Sequence, residues 1–324
     1  MRRSSRAATT QRIESNSFSS FSFLRARFLL TASCSSTTPL HRSIMKHTHL
    51  IAGFVLGVAA TLPAFAQSCT PKVAADQLVT PGKLQMSINP TLPPQQFVDE
   101  KGELQGLNVE LGKAVAKKLC LEPVFIRMDM PPMIPAMQAG RFDLINTGMF
   151  WTEERSKLMF MIPYGQQAMS IYTVPTSKLK ITKFEDLAGH VVGIETGTYQ
   201  ERKAREYNAA MVAKGEKTID FRTFATASET TAALRAGQLE AGINIDETAK
   251  AFEERGIAKV WLSGINGTDI TLAFRTKGAA EAAAKALDEL KAEGVYDQLF
   301  DKFKMTRLKD VKTFAIRGPG PAPK

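Results

Sequence analysis

Two loops in this sequence have the make-up of an anion-binding site. The first follows a strand predicted over residues 142–146 and reads Thr147-Gly148-Met149-Phe150-Trp151-Thr152-Glu153-Glu154-Arg155. Thr152 is a good helix N-cap, Glu153 and Glu154 suit a first helical turn, and Arg155 stands on that turn. The second follows a strand predicted over 191–194 and reads Glu195-Thr196-Gly197-Thr198-Tyr199, again ahead of a helix. In open α/β sheets, ligands bind beyond the carboxyl ends of strands, where the free N–H groups of a helix start favour an anion. The guanidinium of Arg155 presents a planar fork that matches a carboxylate with two parallel hydrogen bonds. On its own, this spacing is a weak motif whose usual reading is a solvated arginine paired with Glu153 or Glu154.

Other chemistry-bearing residues are scarce. Of four histidines, His41, His47 and His49 precede residue 67, which leaves His190. A multi-histidine metal site or a second catalytic histidine is therefore excluded from the body of the chain. Cys34 also lies in the early segment, and the remaining Cys69 and Cys120 cannot build a four-cysteine zinc or iron–sulfur site. No metal and no cofactor are expected.

The early segment also distorts the composition. The 324 residues carry 42 basic and 32 acidic side chains, but eight of the basic and one of the acidic ones lie in residues 1–66. That leaves 34 against 31 in the other 258 residues, a nearly balanced body with no concentrated basic face for nucleic acid. From Met45 the chain shows Lys46, an apolar run from Leu50 to Leu62, Pro63, then Ala64-Phe65-Ala66. This is the pattern of a secretory signal peptide over 45–66, cleaved after Ala66. The run of about 13 residues is short of the ~20 that a spanning helix needs. Residues 1–44, Arg- and Ser-rich, read as a disordered or mis-assigned upstream extension, with Met45 the true initiator. Export to an oxidising compartment leaves two cysteines that suit a Cys69–Cys120 disulfide; the alternative is two free thiols, one of them buried.

The elements that position the two loops alternate. A strand over 83–88, an amphipathic helix carrying Leu107, Leu111, Ala114, Val115 and Leu119, a strand over 124–128, a helix over 134–139 and the strand over 142–146 follow one another, the order of a parallel α/β sheet. Residues 136–143 are echoed at 233–240: a helix end, a Gly stop, an acid, then an apolar strand. A spacing of 97 residues suits two lobes built on one plan. A helix over 279–293, a short helix near 296–303 and a Gly/Pro-rich flexible tail over 311–324 close the chain.

The ordered set Pro93-Pro94, Gly102 to Gly106, Ile134 to Asp143, Thr147-Gly148-Met149, Thr152 to Arg155, Phe184 to Gly189, Val192-Gly193-Ile194, Gly197-Thr198 and Leu290 to Tyr296 resembles one family over residues 80–305. It is that of the periplasmic solute-binding proteins of ABC transporters, family 3, the polar amino acid-binding class. The resemblance implies a two-lobed α/β fold, each lobe an open, mostly parallel sheet with flanking helices. Lobe 1 would span 70–172 plus 271–310 and lobe 2 would span 173–270. Two hinge crossings would fall near 172–174 and 269–273, and the lobes would close on a ligand.

It further implies that Arg155 holds the ligand α-carboxylate, with backbone groups at Thr147 and Met149 and with Thr198 from the other lobe. The family's acid for the α-amine falls at Ile245, one position before Asp246, which also suits a helix N-cap. Leu92, Met130, Phe150, Trp151 and Tyr199 become candidate walls. Glu195 falls where a residue can face the ligand side chain, and Asn89 falls where binders of cationic ligands often carry an acid.

The function implied is that of a periplasmic, monomeric protein that delivers a small carboxylate-bearing, amino-acid-like solute to an ABC permease in the inner membrane. It would not be an enzyme. The alternative is a periplasmic enzyme on the same fold, a dehydratase acting on a prephenate-like acid with Glu195 or Asp246 as general acid or base. A third reading is a ligand-binding sensor that docks on a receptor. The exported protein is expected to begin at Gln67; intact-mass measurement of the secreted form checks this, and a mature chain retaining residues before Met45 would refute the assignment of the start.

Overall fold

The structure, a computed structural model, describes residues 69–322. The signal peptide expected at 45–66 and the extension at 1–44 lie outside the described residues. The chain enters β1 (Lys83–Ile88) and a small antiparallel sheet of β2 (Thr91–Leu92), β3 (Gln96–Val98) and β4 (Leu104–Gln105). There follow α1 (Leu107–Lys118), β5 (Glu122–Arg127), α2 (Met133–Gln138), β6 (Leu144–Phe150), the short α3 (Glu153–Ser156) and the long β7 (Phe160–Thr173). The second half runs through β8 (Val191–Glu195), α4 (Tyr199–Val212), β9 (Asp220–Phe224), α5 (Ala227–Arg235), β10 (Ala241–Ile245) and α6 (Asp246–Glu254). It ends with the long β11 (Lys259–Phe274), α7 (Lys277–Ala292) and α8 (Val295–Lys302).

The large sheet has the order β5-β1-β6-β11-β7-β10-β8-β9. Its two wings, β5-β1-β6 and β10-β8-β9, are parallel within themselves. Every residue of β6 and of β10 is buried, as expected for strands covered by helices on both faces. On α1, Leu107, Leu111 and Val115 repeat every four residues and are all fully buried, the apolar stripe that the sequence predicts.

The echo between residues 136–143 and 233–240 has a structural meaning. Gly140 and Gly237 both take a left-handed φ of 73° and end their helices. The N–H groups of Arg141 and Gln238 then reach back 3.0 Å to the carbonyls of Ala136 and Ala233. The acid that follows ties its strand to the parallel neighbour in each wing. Asp143 accepts from the N–H of Gln85 at 3.0 Å, and Glu240 accepts from the N–H of Val191 at 2.9 Å. Glu240 also meets His190 Nδ1 at 2.9 Å, which occupies the one histidine of the body in a structural pair.

Between the wings, β7 and β11 run antiparallel to one another. Their lower halves adjoin β6, through Ile270–Phe274 of β11. Their upper halves adjoin β10, through Met169–Tyr172 of β7. β7 pairs with β11 along its length and with β10 from Met169 to Tyr172. The register of the pair shifts between Ile265 and Thr268 and again between Ile270 and Thr271, bracketing the start of the crossing expected at 269–273.

The tail differs from expectation. Rather than running free, residues 311–322 lie along the first wing. The Phe314 ring is buried against Tyr296 with centroids 5.2 Å apart, and its N–H donates to Asp288 Oδ1 at 2.6 Å. The N–H groups of Arg317 and Gly320 donate to the carbonyls of Met161 and Ser156 at 2.8 and 2.9 Å. Gly and Pro composition marks a segment without regular structure; it does not register the apolar Phe314 as an anchor.

Cys69 and Cys120 form the expected disulfide, with Cα atoms 5.4 Å apart and a sequence separation of 51. Cys120 stands just past the end of α1 in the left-handed region at φ 57°, and the N–H of Leu121 closes the helix on the carbonyl of Ala116 at 2.9 Å. Replacing both cysteines by serine is expected to lower the unfolding free energy by about 2–4 kcal/mol, the usual effect of losing such a cross-link. Urea denaturation of wild type and double variant measures it, and coincident curves would show that the bridge contributes nothing.

Candidate ligand site

The carboxyl ends of β1, β6, β8 and β10 converge on one cleft between the wings. Its lining includes Asn89, Leu92, Met130, Thr147, Phe150, Arg155, Glu195, Thr198 and Tyr199, nine of the twelve residues expected at a site. Of the other three, Met149 is expected through its backbone, and the side chains of all three point away from the cleft. Met149 is buried among Met133, Met137 and Met161, and its carbonyl accepts from Thr271 Oγ1 at 2.9 Å. Trp151 is turned away, its Nε1 donating to the Arg317 carbonyl at 3.2 Å beneath the Arg317 guanidinium. Asp246 opens α6 with its carboxylate taken by Ser170 Oγ at 2.7 Å and the Gly264 N–H at 3.0 Å. Ile245, one position earlier, lines the cleft.

On the first wing, Thr152 caps α3 by accepting from the Arg155 N–H at 3.1 Å, which fixes the start of the Arg155 side chain. The guanidinium is largely buried and donates to two carbonyls, Phe150 at 3.0 Å and, across the cleft, Gly197 at 3.4 Å. Burial, then the nearby Arg202, lower its pKa to about 10, while Glu154 works in the opposite direction. Thr147 Oγ1 accepts from the Asn89 N–H at 3.2 Å and from Gln96 Nε2 at 3.0 Å. Both acceptor sites of the hydroxyl are then used, which leaves its proton to be donated. Behind it, Asn108 Nδ2 donates to Gln96 Oε1 at 2.7 Å, Tyr164 donates to Asn108 Oδ1 at 2.5 Å and Asn146 donates to the Asn108 carbonyl at 2.8 Å.

On the second wing, Thr198 caps α4, accepting from the Glu201 N–H at 3.1 Å and donating to the Glu195 carbonyl at 2.8 Å. The hydroxyl is thus committed to the helix start, and the α4 terminus faces the cleft. Two further contacts bridge the wings. The Phe150 and Tyr199 rings lie face to face, 4.8 Å apart and 5° from parallel, and Asn89 Nδ2 donates to Glu195 Oε1 at 2.6 Å. The space enclosed is about 30 Å³, the share of one water molecule in the liquid.

The sequence-based set missed Gln95, Gln167, Gln200 and Ile245. Gln95 follows Pro93-Pro94 directly, and a Cβ at Gly148 would stand 1.8 Å from its Nε2, so glycine there admits the Gln95 amide. Gln167 lies in the middle of β7, where the pattern of the strand carries no sign of the cleft. A larger opening of about 1440 Å³ lies under the tail, between residues 314–322 and α7, and shares none of the cleft residues. Among the described residues no three His, Cys, Asp or Glu side chains cluster as metal ligands.

The bacterial extracellular solute-binding proteins, family 3, match this sequence over residues 84–306. The chain belongs to this family. Among its relatives are a probable histidine-binding protein of Campylobacter jejuni, 26% identical over 250 residues and covering 75% of this chain and 93% of that one. Another is the ABC transporter arginine-binding protein 1 of Escherichia coli, 26% identical over 230 residues, 68% of this chain and 90% of that one. The solved structure of an ancestral arginine-binding protein bound to arginine is 30% identical, with a TM-score of 0.63, covering 68% of this chain and 98% of that one. The two wings are accordingly the two lobes of a family 3 binding protein, and the chain is a binding protein rather than an enzyme.

Within this family 3 protein, Glu195 is the carboxyl that lines the cleft. It is 8% exposed, and burial pushes its pKa up to about 8, against the Asn89 hydrogen bond and with Asp129 and Glu229 adding to the rise. Glu247, behind the cleft, is likewise pushed up to about 7, chiefly by burial. Both acids hold their protons more tightly folded than unfolded. The stability this gives is full below their ordinary value near 4.5 and is lost as pH rises through about 7 to 8. The melting temperature is therefore expected to fall between pH 5 and pH 9, and Glu195→Gln, which stays neutral, is expected to flatten part of that fall. Superimposable pH profiles for wild type and variant would remove Glu195 as a source.

Proposed function

We propose that this family 3 protein binds a small carboxylate-bearing, amino-acid-like solute in the cleft and delivers it to the permease of an ABC importer. The observation that carries the reading is Arg155. A guanidinium held largely out of water on carbonyl oxygens, with no carboxylate ion-paired to it among the described residues, is a costly arrangement that an anionic ligand would relieve. The Thr147 hydroxyl and the N-terminus of α4 supply further donors on opposite sides of the cleft. Relatives named for histidine and arginine binding support an amino acid as the solute class.

In this reading the lobes, 70–172 with 271–310 and 173–270, move about β7 and β11 near the points where β10 joins β7 and β6 joins β11. Opening must part Phe150 from Tyr199 and Asn89 from Glu195, because the enclosed space is far smaller than an amino acid. Closure around the solute would present both lobes to the permease together. A leader at 45–66 would place the monomeric mature protein in the periplasm.

Removing one partner of a desolvated charge pair costs on the order of 2–5 kcal/mol, so Arg155→Ala should weaken binding between tenfold and a few thousandfold. Arg155→Lys should recover only part, since an ammonium cannot reproduce the fork. A thermal-shift screen against amino acids selects the ligand, and calorimetric titration of the three proteins decides. Equal affinities in correctly folded variants would remove the carboxylate contact from Arg155.

A further inference from the structure

The docked tail meets the element that carries Arg155. α3 is a single turn of four residues, too short to hold itself together in water. Thr152 secures its start by capping the Arg155 N–H at 3.1 Å. Residues 317–320 secure it from outside, at both ends. Past the turn, the Gly320 N–H donates to the Ser156 carbonyl at 2.9 Å, and Ser156 is fully buried. Gly318 lies so close to Ser156 that a Cβ there would stand 2.4 Å from its Cβ and Oγ, and a φ of 102° suits glycine alone. Ahead of the turn, the Trp151 indole donates to the Arg317 carbonyl at 3.2 Å, with its ring centroid 4.0 Å from the guanidinium carbon of Arg317.

The Arg317 guanidinium also pairs with Asp269 on β11. Asp269 receives the Trp151 N–H on its carbonyl at 2.8 Å and Gln166 Nε2 on its other carboxylate oxygen at 3.2 Å. It stands between two register shifts of β11 against β7, so the same contacts tie α3 to the junction of the lobes. Phe314 anchors the segment upstream, and Pro319 and Pro321 fix φ on either side of Gly320, which limits the freedom lost on docking. The family match ends at residue 306, so these contacts come from chain outside it.

We infer that residues 317–320 brace α3 and position Arg155 for the solute carboxylate, with Arg317 and Gly318 as positioning residues. This rests on the reading of Arg155 as the carboxylate partner. A fork that grips two oxygens at once must be held within about 0.5 Å of its productive geometry. A one-turn helix capped only at its start frays at its end, and Arg155 is the residue before that end. The brace closes the turn on the Ser156 side and fixes the approach to it on the Trp151 side. A tail that only covered apolar surface of lobe 1 would instead add stability and leave Arg155 indifferent to it.

Labelling of arginines with phenylglyoxal, read by peptide mass, follows Arg155 with no ligand present. In the full mature protein Arg155 is expected to react slowly, and Arg235, exposed on α5, quickly. Arg317→Ala and Gly318→Ala are each expected to speed the labelling of Arg155 by about fivefold or more through local opening, with Arg235 unchanged. Arg317→Lys, which keeps a cation for Asp269, is expected to restore part of the protection. Calorimetric titration with L-arginine and L-histidine gives the second readout. Each variant is expected to weaken binding by about tenfold when Arg155 is present and by less than about twofold in an Arg155→Ala background, because the brace acts only through that side chain. Unchanged labelling of Arg155 in Arg317→Ala and Gly318→Ala proteins that fold, by circular dichroism, overturns the inference. Equal losses of affinity with and without Arg155 overturn it as well. Faster labelling together with no effect of Arg155→Ala on binding upholds the brace and overturns the carboxylate reading alone. Failure of both amino acids to bind wild type overturns these two as solutes, and the labelling alone then decides the brace.

Discussion

Everything in this molecule hangs on the pairing of β7 with β11. These strands, 14 and 16 residues long, are the only ones that serve both lobes among the described residues. Each lobe is a parallel sheet and cannot be joined to the other by a hairpin. An antiparallel pair, extended beyond either sheet, lets one lobe begin where the other ends without breaking the hydrogen-bonded ladder. The pairing is regular within lobe 1 and shifts register repeatedly across the junction and into lobe 2. Those irregularities concentrate compliance where the lobes meet, because bulged positions bend a strand more readily than regular ladder does.

The cleft inherits its shape from this arrangement. Strands of both lobes point their carboxyl ends at the gap, so the backbone donors of two helix starts and the side chains that follow β6 and β8 face one another. The two sides are built differently. Lobe 1 backs the cleft with the Thr147, Gln96, Asn108, Tyr164 and Asn146 network, in which each member orients the next. Lobe 2 contributes single residues at the tips of β8 and β10.

Energetically the cleft is a place of incomplete satisfaction. Arg155 and Glu195 are both withdrawn from water, and each is held by neutral partners. Asp143, also buried, is placed differently: it accepts two backbone N–H bonds and faces Arg275 at 3.5 Å.

Much of this was legible in the sequence. Hydrophobic periodicity gave the alternating elements, the repeated Gly-then-acid pattern gave two lobes on one plan, and the N-cap at Thr152 placed Arg155 on its helical turn. These are local rules, settled by a few neighbouring residues. What tertiary structure decided is which side chain reaches the cleft at each tip. Met149 and Trp151 flank Phe150, yet in β6 and its extension alternate residues point to opposite faces, so Phe150 enters the cleft while its neighbours join the core and the tail. Asp246 and Ile245 differ by one position, and that single step exchanges an acid for an apolar wall. The docking of residues 311–322 on Met161 and Ser156, and of Met169–Tyr172 of β7 on β10, joins residues far apart in sequence. Such pairings are set by the packing of the whole sheet, which no local pattern records.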